Sequence, residues 1–260
     1  MRISLRQADI DTHVDQRVEL HAWCHRVRVQ SQKLAFLMLR DGHGFIQCVL
    51  GGQCMGCEES QRLTRELSVM IRGKLIRSEK SPTGYELDAD YWEIIGESAG
   101  DFENLVQPDS GADVRAHNRH IIHRGEKGAA ILKLRSHILE LFREYFHKQD
   151  WTEVNPPTIV NTECEGGSSL FKLDYYGQPA YMTQSSQLYL ESVIPALGDV
   201  FCVAPSYRAE KSNTRRHLAE FTHLETEHAF IDFDQLMNNI EGMVTFVANE
   251  LAARYGDLLK

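Results

Sequence analysis

The amino-acid sequence predicts an α+β chain of two domains, a small β-barrel followed by a unit of antiparallel sheet and amphipathic helices. Three observations carry that expectation. The chain has 260 residues, more than one average core uses. Its first hundred residues alternate apolar and polar side chains in short runs broken by turn residues, which is the period of strands. Beyond a stretch of little periodicity, apolar residues recur at helical spacing on either side of a long charged hairpin. Domains are expected at 1–98 and 128–260, joined by a linker or hinge at 99–127.

Val18, Leu20, Ala22 and Cys24 alternate, and the phase then flips to Val27 and Val29, as one inserted residue would cause in a curved strand. Leu34 to Leu39 reads as a second strand, and Phe45 to Leu50 as a third, separated by the turn Asp41-Gly42-His43-Gly44. Glu58 to Leu67 suits a short helix. Val69 to Ile76 and Tyr85 to Ile95 complete the set around Ser81-Pro82-Thr83-Gly84. Three strands, a helix and two strands is the order of an OB-fold, whose second and third strands often present a nucleic-acid-binding face. On that face Arg26, Arg28, Lys33 and Arg40 are expected to meet phosphates, Phe36 to stack on a base and Gln47 to bond a base edge. The residues alone leave open that Phe36 belongs to the barrel core and that the cations are ordinary surface charge, because the fold also hosts sugars and proteins.

The formal net charge of −9 excludes a protein coated in nucleic-acid-binding charge, so any such contact is local. The six cysteines sit at 24, 48, 54, 57, 164 and 202, several inside apolar runs, as buried free thiols of a reducing compartment would. Cys54-Met55-Gly56-Cys57 lacks the second ligand pair that a structural zinc site needs, and His117, His120 and His123 read as linker histidines; no metal ligand is assigned. The N-terminus has no apolar signal core and no run reaches the length of a membrane span, so a soluble, cytoplasmic protein with no membrane partner is expected.

In the second half, Ile131, Leu134, Ile138, Leu141, Phe142, Tyr145 and Phe146 mark one face of a helix. Trp151 to Pro157 is a β-like segment stopped by two prolines, which cannot donate ladder hydrogen bonds. Glu165-Gly166-Gly167 reads either as a loop whose glycines permit movement and whose carboxylate can meet an ammonium group, or as an ordinary surface turn. Gln184-Ser185-Ser186-Gln187 precedes an apolar helix and carries more amide than capping requires. Tyr207 to Glu225 reads as a hairpin with a long polar loop that carries cations and acceptors and projects Arg208 from its first strand beside groups on the second, either as a polyphosphate site or as solvated charge. A last amphipathic helix runs from Phe233 through Leu251.

Glu165-Gly166-Gly167, Gln184 to Glu191 and Tyr207-Arg208-Ala209-Glu210 occur in an order and spacing that resemble the class II aminoacyl-tRNA synthetases of the aspartate, asparagine and lysine subgroup. Within that subgroup the wording around Ser186, Pro195 to Phe201 and Phe221 to Glu227 is similar to asparaginyl enzymes of the eukaryotic cytosol, with aspartyl enzymes as the alternative. The resemblance implies an antiparallel-sheet catalytic domain, ATP-dependent activation of asparagine, transfer to tRNA(Asn), and a homodimer formed through the first motif, which ends at Pro157. It implies Arg208 as the catalytic residue on the α-phosphate and substrate carboxylate, and Ala209, Glu210, Arg216, His217 and Leu218 as further ATP contacts. It assigns Glu165, Gln184, Gln187, Leu188, Tyr189, Leu190, Arg208 and Glu227 to the amino acid, with Glu227 preferring an amide to a carboxylate. Arg26, Arg28, Phe36 and Gln47 fall to the tRNA. The third motif, with its phosphate-clamping arginine, does not follow, and the Mg2+ ligands are expected in that missing half. The chain is then either the front part of a synthetase or a short product that binds tRNA or pairs with a synthetase subunit. Its sheet, lacking strands, is expected to leave an edge and apolar faces open, and the chain to be poorly soluble alone or dependent on a partner.

Overall fold

The computed structural model describes residues 1–99, 105–107, 109–162, 170–212, 214 and 216–259. Two compact units divide at Asn118 and Arg119.

The first unit is built from β1 (Arg2–Ile3), β2 (Arg17–Ser31), β3 (Leu34–Arg40), β4 (Phe45–Gly51), β5 (Ser68–Arg77) and β6 (Tyr85–Gly96). Their order is β1-β2-β3-β4-β6-β5, and pairing of β2 with β5 closes β2 to β6 into a five-stranded barrel. β2 serves both sides of the seam, because its first half pairs with β5 and its second half with β3. The expected phase flip is present: Cys24 pairs with Leu39 and Arg26 with Met38, leaving His25 as the extra residue of a bulge. Inward positions alternate along each strand, with Val18, Leu20, Ala22, Cys24, Leu37, Leu39, Ile46, Cys48 and Leu50 buried in one cluster. Leu5 and Ile10, the latter on α1 (Gln7–Thr12), join that cluster from one end. Gly73 is required where β5 crosses β6, since a Cβ there would lie 2.2 Å from the Asp88 carbonyl oxygen.

The segment expected as a helix from Glu58 to Leu67 forms instead a 3-10 turn, Glu58–Arg62, after another at Gly52–Met55. It is too short to repay helix nucleation. Its buried anchors, Cys54, Met55 and Leu67, serve the barrel core and not a helical stripe.

A short helix α2 (Ala112–His117) ends the first unit, and α3 (Arg119–Ile122) starts the second. There, β7 (Thr152–Glu153), β11 (Val200–Tyr207) and β12 (Glu220–Glu227) form a sheet of order β12-β11-β7. Helix α4 (Glu126–His147) and the final helix, α6 (Phe233–Tyr255), supply Tyr145, Phe146 and Met243 to a cluster with Trp151, Phe201, Val203 and Leu224 on one sheet face. On the other face Leu190, Val193 and Ile194 of α5 (Gln187–Leu197) pack against Val200, Cys202 and Ala204. Gly198, at φ 75°, ends α5 and turns the chain into β11. A second small sheet pairs β8 (Ile159–Val160) and β9 (Lys172–Tyr175) on either side of β10 (Gln178–Met182). Among the described residues no helix is long and apolar enough to cross a membrane.

Candidate functional site

The β11–β12 hairpin sets the geometry. Its register places Val200 opposite Glu227, Cys202 opposite Glu225, Ala204 opposite His223 and Ser206 opposite Phe221. Because side chains alternate, these eight residues share the sheet face on which α5 packs. The Arg208 amide bonds the Ala219 carbonyl at 3.0 Å, so the ladder continues one step and Arg208 follows Ser206.

Arg208, Glu210, Arg216, His217, Leu218 and Phe221 line one cleft of about 470 Å³. Five of the six residues expected to meet a nucleotide are therefore together; Ala209 is not among the lining. The Arg208 guanidinium carbon lies 5.6 Å from the centre of the Phe221 ring. Within the loop, the Thr214 hydroxyl and His217 Nδ1 are 2.5 Å apart, and the Arg216 amide donates to the same hydroxyl at 3.3 Å. Phe221 was not singled out from the sequence. The signal lay in the parity of the hairpin, which sets Phe221 on the face of Arg208.

Glu225 is the second residue that the sequence reading passed over. Its carboxylate, 9% exposed, accepts from the Ser186 amide at 2.8 and 3.0 Å and from the Ser185 hydroxyl, and lies 3.3 Å from His223 Nδ1. The Tyr207 amide donates to the Thr183 carbonyl at 2.8 Å, and the Thr183 hydroxyl to the Ser185 carbonyl at 2.7 Å. The start of α5 is thus tied to the hairpin. Gln187, its first residue, donates from Nε2 to Glu191 at 2.8 Å. Burial, with Glu191 and Glu225 nearby, raises the Glu227 carboxyl above its usual range.

The remaining amino-acid candidates do not join Arg208. Gln184, Leu188 and Tyr189 line a larger cleft of about 710 Å³ with Pro156, Pro157 and Tyr175. Gln184 is 7% exposed and its side-chain oxygen has no hydrogen-bond partner. Leu190 is fully buried against Val200 and Cys202, so its side chain serves the core and lines neither cleft. Glu165 lies outside the described residues. No group of three His, Cys, Asp or Glu side chains that could hold a metal occurs among the described residues.

On the barrel, Ala35, Leu37 and Leu39 point into the core, so Phe36 between them faces outward and is half-buried, not a core residue. It pairs with Arg28 on β2 and Val49 on β4, while Met38 pairs with Arg26 and Gln47. Arg26, Arg28, Phe36 and Gln47 therefore share one outer face, and Lys33 is exposed in the β2–β3 turn. Arg40 is a correction. It is 7% exposed and held bidentate by Glu66 at 2.6 and 2.8 Å, with Nη1 also 3.3 Å from His25 Nδ1, so its charge is already answered. Burial and then the cations Arg40, Arg26 and Arg65 depress His25 to about 4.

Comparison with known proteins gives the class first. Residues 18–95 match the OB-fold nucleic acid binding domain, and residues 111–258 match the class II tRNA synthetases of the D, K and N group. The chain belongs to that class II family. Within it, the chain is 49% identical over 240 residues to the cytoplasmic asparagine–tRNA ligase of Homo sapiens, covering 91% of this chain and 44% of the relative. It is 49% identical over 253 residues to the cytoplasmic enzyme of Dictyostelium discoideum, covering 96% and 38%. Among solved structures, asparaginyl-tRNA synthetase of Entamoeba histolytica in complex with asparaginyl-adenylate matches at 43% identity and a TM-score of 0.86, over 94% of this chain and 57% of that one. The Pyrococcus horikoshii enzyme with asparaginyl-adenylate matches at 32% and 0.88, over 98% and 60%. A putative aspartyl-tRNA synthetase from Leishmania major Friedlin, at 24% identity and a TM-score of 0.83, shares the fold. The chain spans less than half the length of the curated relatives it matches.

Proposed function

We propose that this chain carries the anticodon-reading barrel and the ATP-facing half of the catalytic sheet of a cytoplasmic asparagine–tRNA ligase. The observation that supports this most directly is the single cleft gathering Arg208, Glu210, Arg216, His217, Leu218 and Phe221, in a chain with such relatives. Two cations, a carboxylate acceptor and an aromatic ring are the complement of a nucleoside triphosphate.

In the first step the asparagine carboxylate attacks the α-phosphorus in line and pyrophosphate leaves; in the second the tRNA terminal hydroxyl takes the asparaginyl group and AMP leaves. Arg208 holds carboxylate and α-phosphate with one planar fork and answers the charge that grows on the phosphoryl oxygens. Glu210 accepts from the adenine amine, Phe221 stacks on the ring, Ala209 and Leu218 offer backbone groups, and Arg216 and His217 lie toward the outer phosphates. Gln187, with Glu165, holds the ammonium end. Glu227 accepts from the asparagine amide and repels aspartate, and a carboxylate already raised by burial and two like charges is one that gains most from a donor. Mg2+ would neutralise the outer phosphates.

The tRNA(Asn) anticodon is assigned to Arg26, Arg28, Phe36 and Gln47, within a barrel domain of residues 1–98, a hinge of 99–127 and a catalytic part of 128–260. Homodimerisation is assigned to α4 and the Trp151–Pro157 segment, where Ile131 and Leu132 are exposed. The test is asparagine-dependent ATP–pyrophosphate exchange, on this chain and on a version completed with a relative's remaining catalytic segment. Exchange driven by asparagine and lost in Glu227→Gln supports the assignment. Exchange driven by aspartate overturns the substrate, and none in the completed form, with tRNA still bound, establishes the non-catalytic alternative.

A further inference from the structure

The outer face of the barrel holds a second aromatic site that the contacts above do not use. Its outward positions form three rows across β2, β3 and β4: Arg28, Phe36 and Val49; then Arg26, Met38 and Gln47; then Trp23, Arg40 and Phe45. With unbroken alternation Trp23 and Arg26 would point to opposite sides of β2. The bulge at His25 turns both outward, which is how bulges re-aim side chains.

Trp23 is 47% exposed, whereas Trp92 and Trp151 are each 6% exposed. Its indole is positioned from below by charge, not by core packing: the Arg40 guanidinium carbon lies 5.9 Å from the ring centre and is itself fixed by Glu66. A buried Arg–Glu pair adds little stability over apolar packing; here its consequence is a fixed, cation-backed ring. Phe45 closes the row, with the His25 ring edge-on to it at 5.1 Å and 73°. Arg65 donates to the His25 carbonyl at 3.2 Å, adding a cation beside the row.

We propose that Trp23, flanked by Phe45, is a second stacking platform for an unpaired RNA base, continuous with the platform at Phe36. Phe36 and Arg40 are four residues apart on β3, so the two end rows are about 13 Å apart. Arg26 lies on β2 in the row between them and Arg28 in the row of Phe36, along the path where the phosphates linking the two bases would run. Charge selects the occupant: Arg26, Arg28 and Arg65 gather here on a chain of net charge −9, the local complement of a polyanion. The inference rests on the barrel being the anticodon reader, and it extends the contacted strand beyond the base on Phe36.

The experiment titrates the 260-residue chain with a short RNA hairpin bearing an unpaired loop. Trp23 being the exposed tryptophan, RNA should quench the red-edge emission of the wild-type chain, and Trp23→Leu should abolish that change. Affinity should fall roughly 5- to 150-fold in Trp23→Leu, the usual worth of one base–aromatic stack, and be largely kept in Trp23→Phe. Phe36→Leu is the control for the underlying reading. If Phe36→Leu weakens binding while Trp23→Leu binds as wild type and no quench occurs, the second platform is wrong and the anticodon face stands. If neither variant loses affinity, both fall.

Discussion

Replacing Glu225 by Ala tests whether the hairpin and the helix carrying Gln187 act as one body. The carboxylate satisfies the Ser186 amide at 2.8 Å and the Ser185 hydroxyl, both in a part-buried setting. A hydrogen bond to a charged group contributes about 1.5–3 kcal/mol, and a buried donor left without a partner adds a desolvation cost. The two together give a loss of about 3–6 kcal/mol, a large part of the 5–15 kcal/mol typical of a domain. Urea unfolding would read the total, and hydrogen exchange would locate it. The peptide spanning 183–190 should lose protection while the barrel strands keep theirs, since the damage is confined to the second unit. A loss below about 1 kcal/mol, or unchanged exchange at Ser186, would refute the tie between hairpin and helix.

Arg208→Lys should lose about 100- to 1000-fold in the activation step, as removal of one preorganised charge donor does, because an ammonium cannot bridge carboxylate and phosphate together; near-normal exchange in that variant would show that the guanidinium fork is not used. Glu66→Ala should cost the barrel about 3–5 kcal/mol by stranding Arg40 in its buried position, read as a drop in the barrel's denaturation midpoint, and a surface-like effect would contradict the burial of the pair. His25 is held to about 4 against an ordinary value near 6.5, so the unfolded chain takes up the proton first. Its contribution to stability is complete above about pH 6.5 and is lost as pH falls toward 4. Thermal midpoints measured across that window should decline less steeply in His25→Gln than in wild type, and parallel declines would remove His25 as the cause.

The barrel strands were legible because a half-buried strand writes its period into consecutive residues, and even the bulge announced itself as a change of phase at Cys24 and Val27. The segment from Glu58 to Leu67 was not: its apolar residues answer to the barrel core around Cys54, Met55 and Leu67, and only the assembled barrel shows that demand. The resemblance supplied Arg208, Glu210, Arg216 and His217, and folding brought them to one cleft. Leu190 lay in the Gln184-to-Glu191 motif but turned inward. Its place in the helix period against Val200 and Cys202, not its place in the motif, sets its role. Arg40 sat at an outward position and read as a phosphate contact, yet its partner Glu66 is 26 residues away in sequence.

The barrel strands, the amphipathic helices, the long hairpin and the motifs of the family could therefore be read from the chain alone, because each depends on residues within a few positions of one another. Which cations are free and which are already paired, and which carboxylate ties Ser185 and Ser186 to the sheet, were decided only by tertiary structure. Those outcomes depend on pairings such as Ser186 with Glu225, 39 positions apart, and on Arg40 with Glu66. A charge gains or loses its partner across such distances through the packing of separate elements and through burial, which local periodicity does not encode.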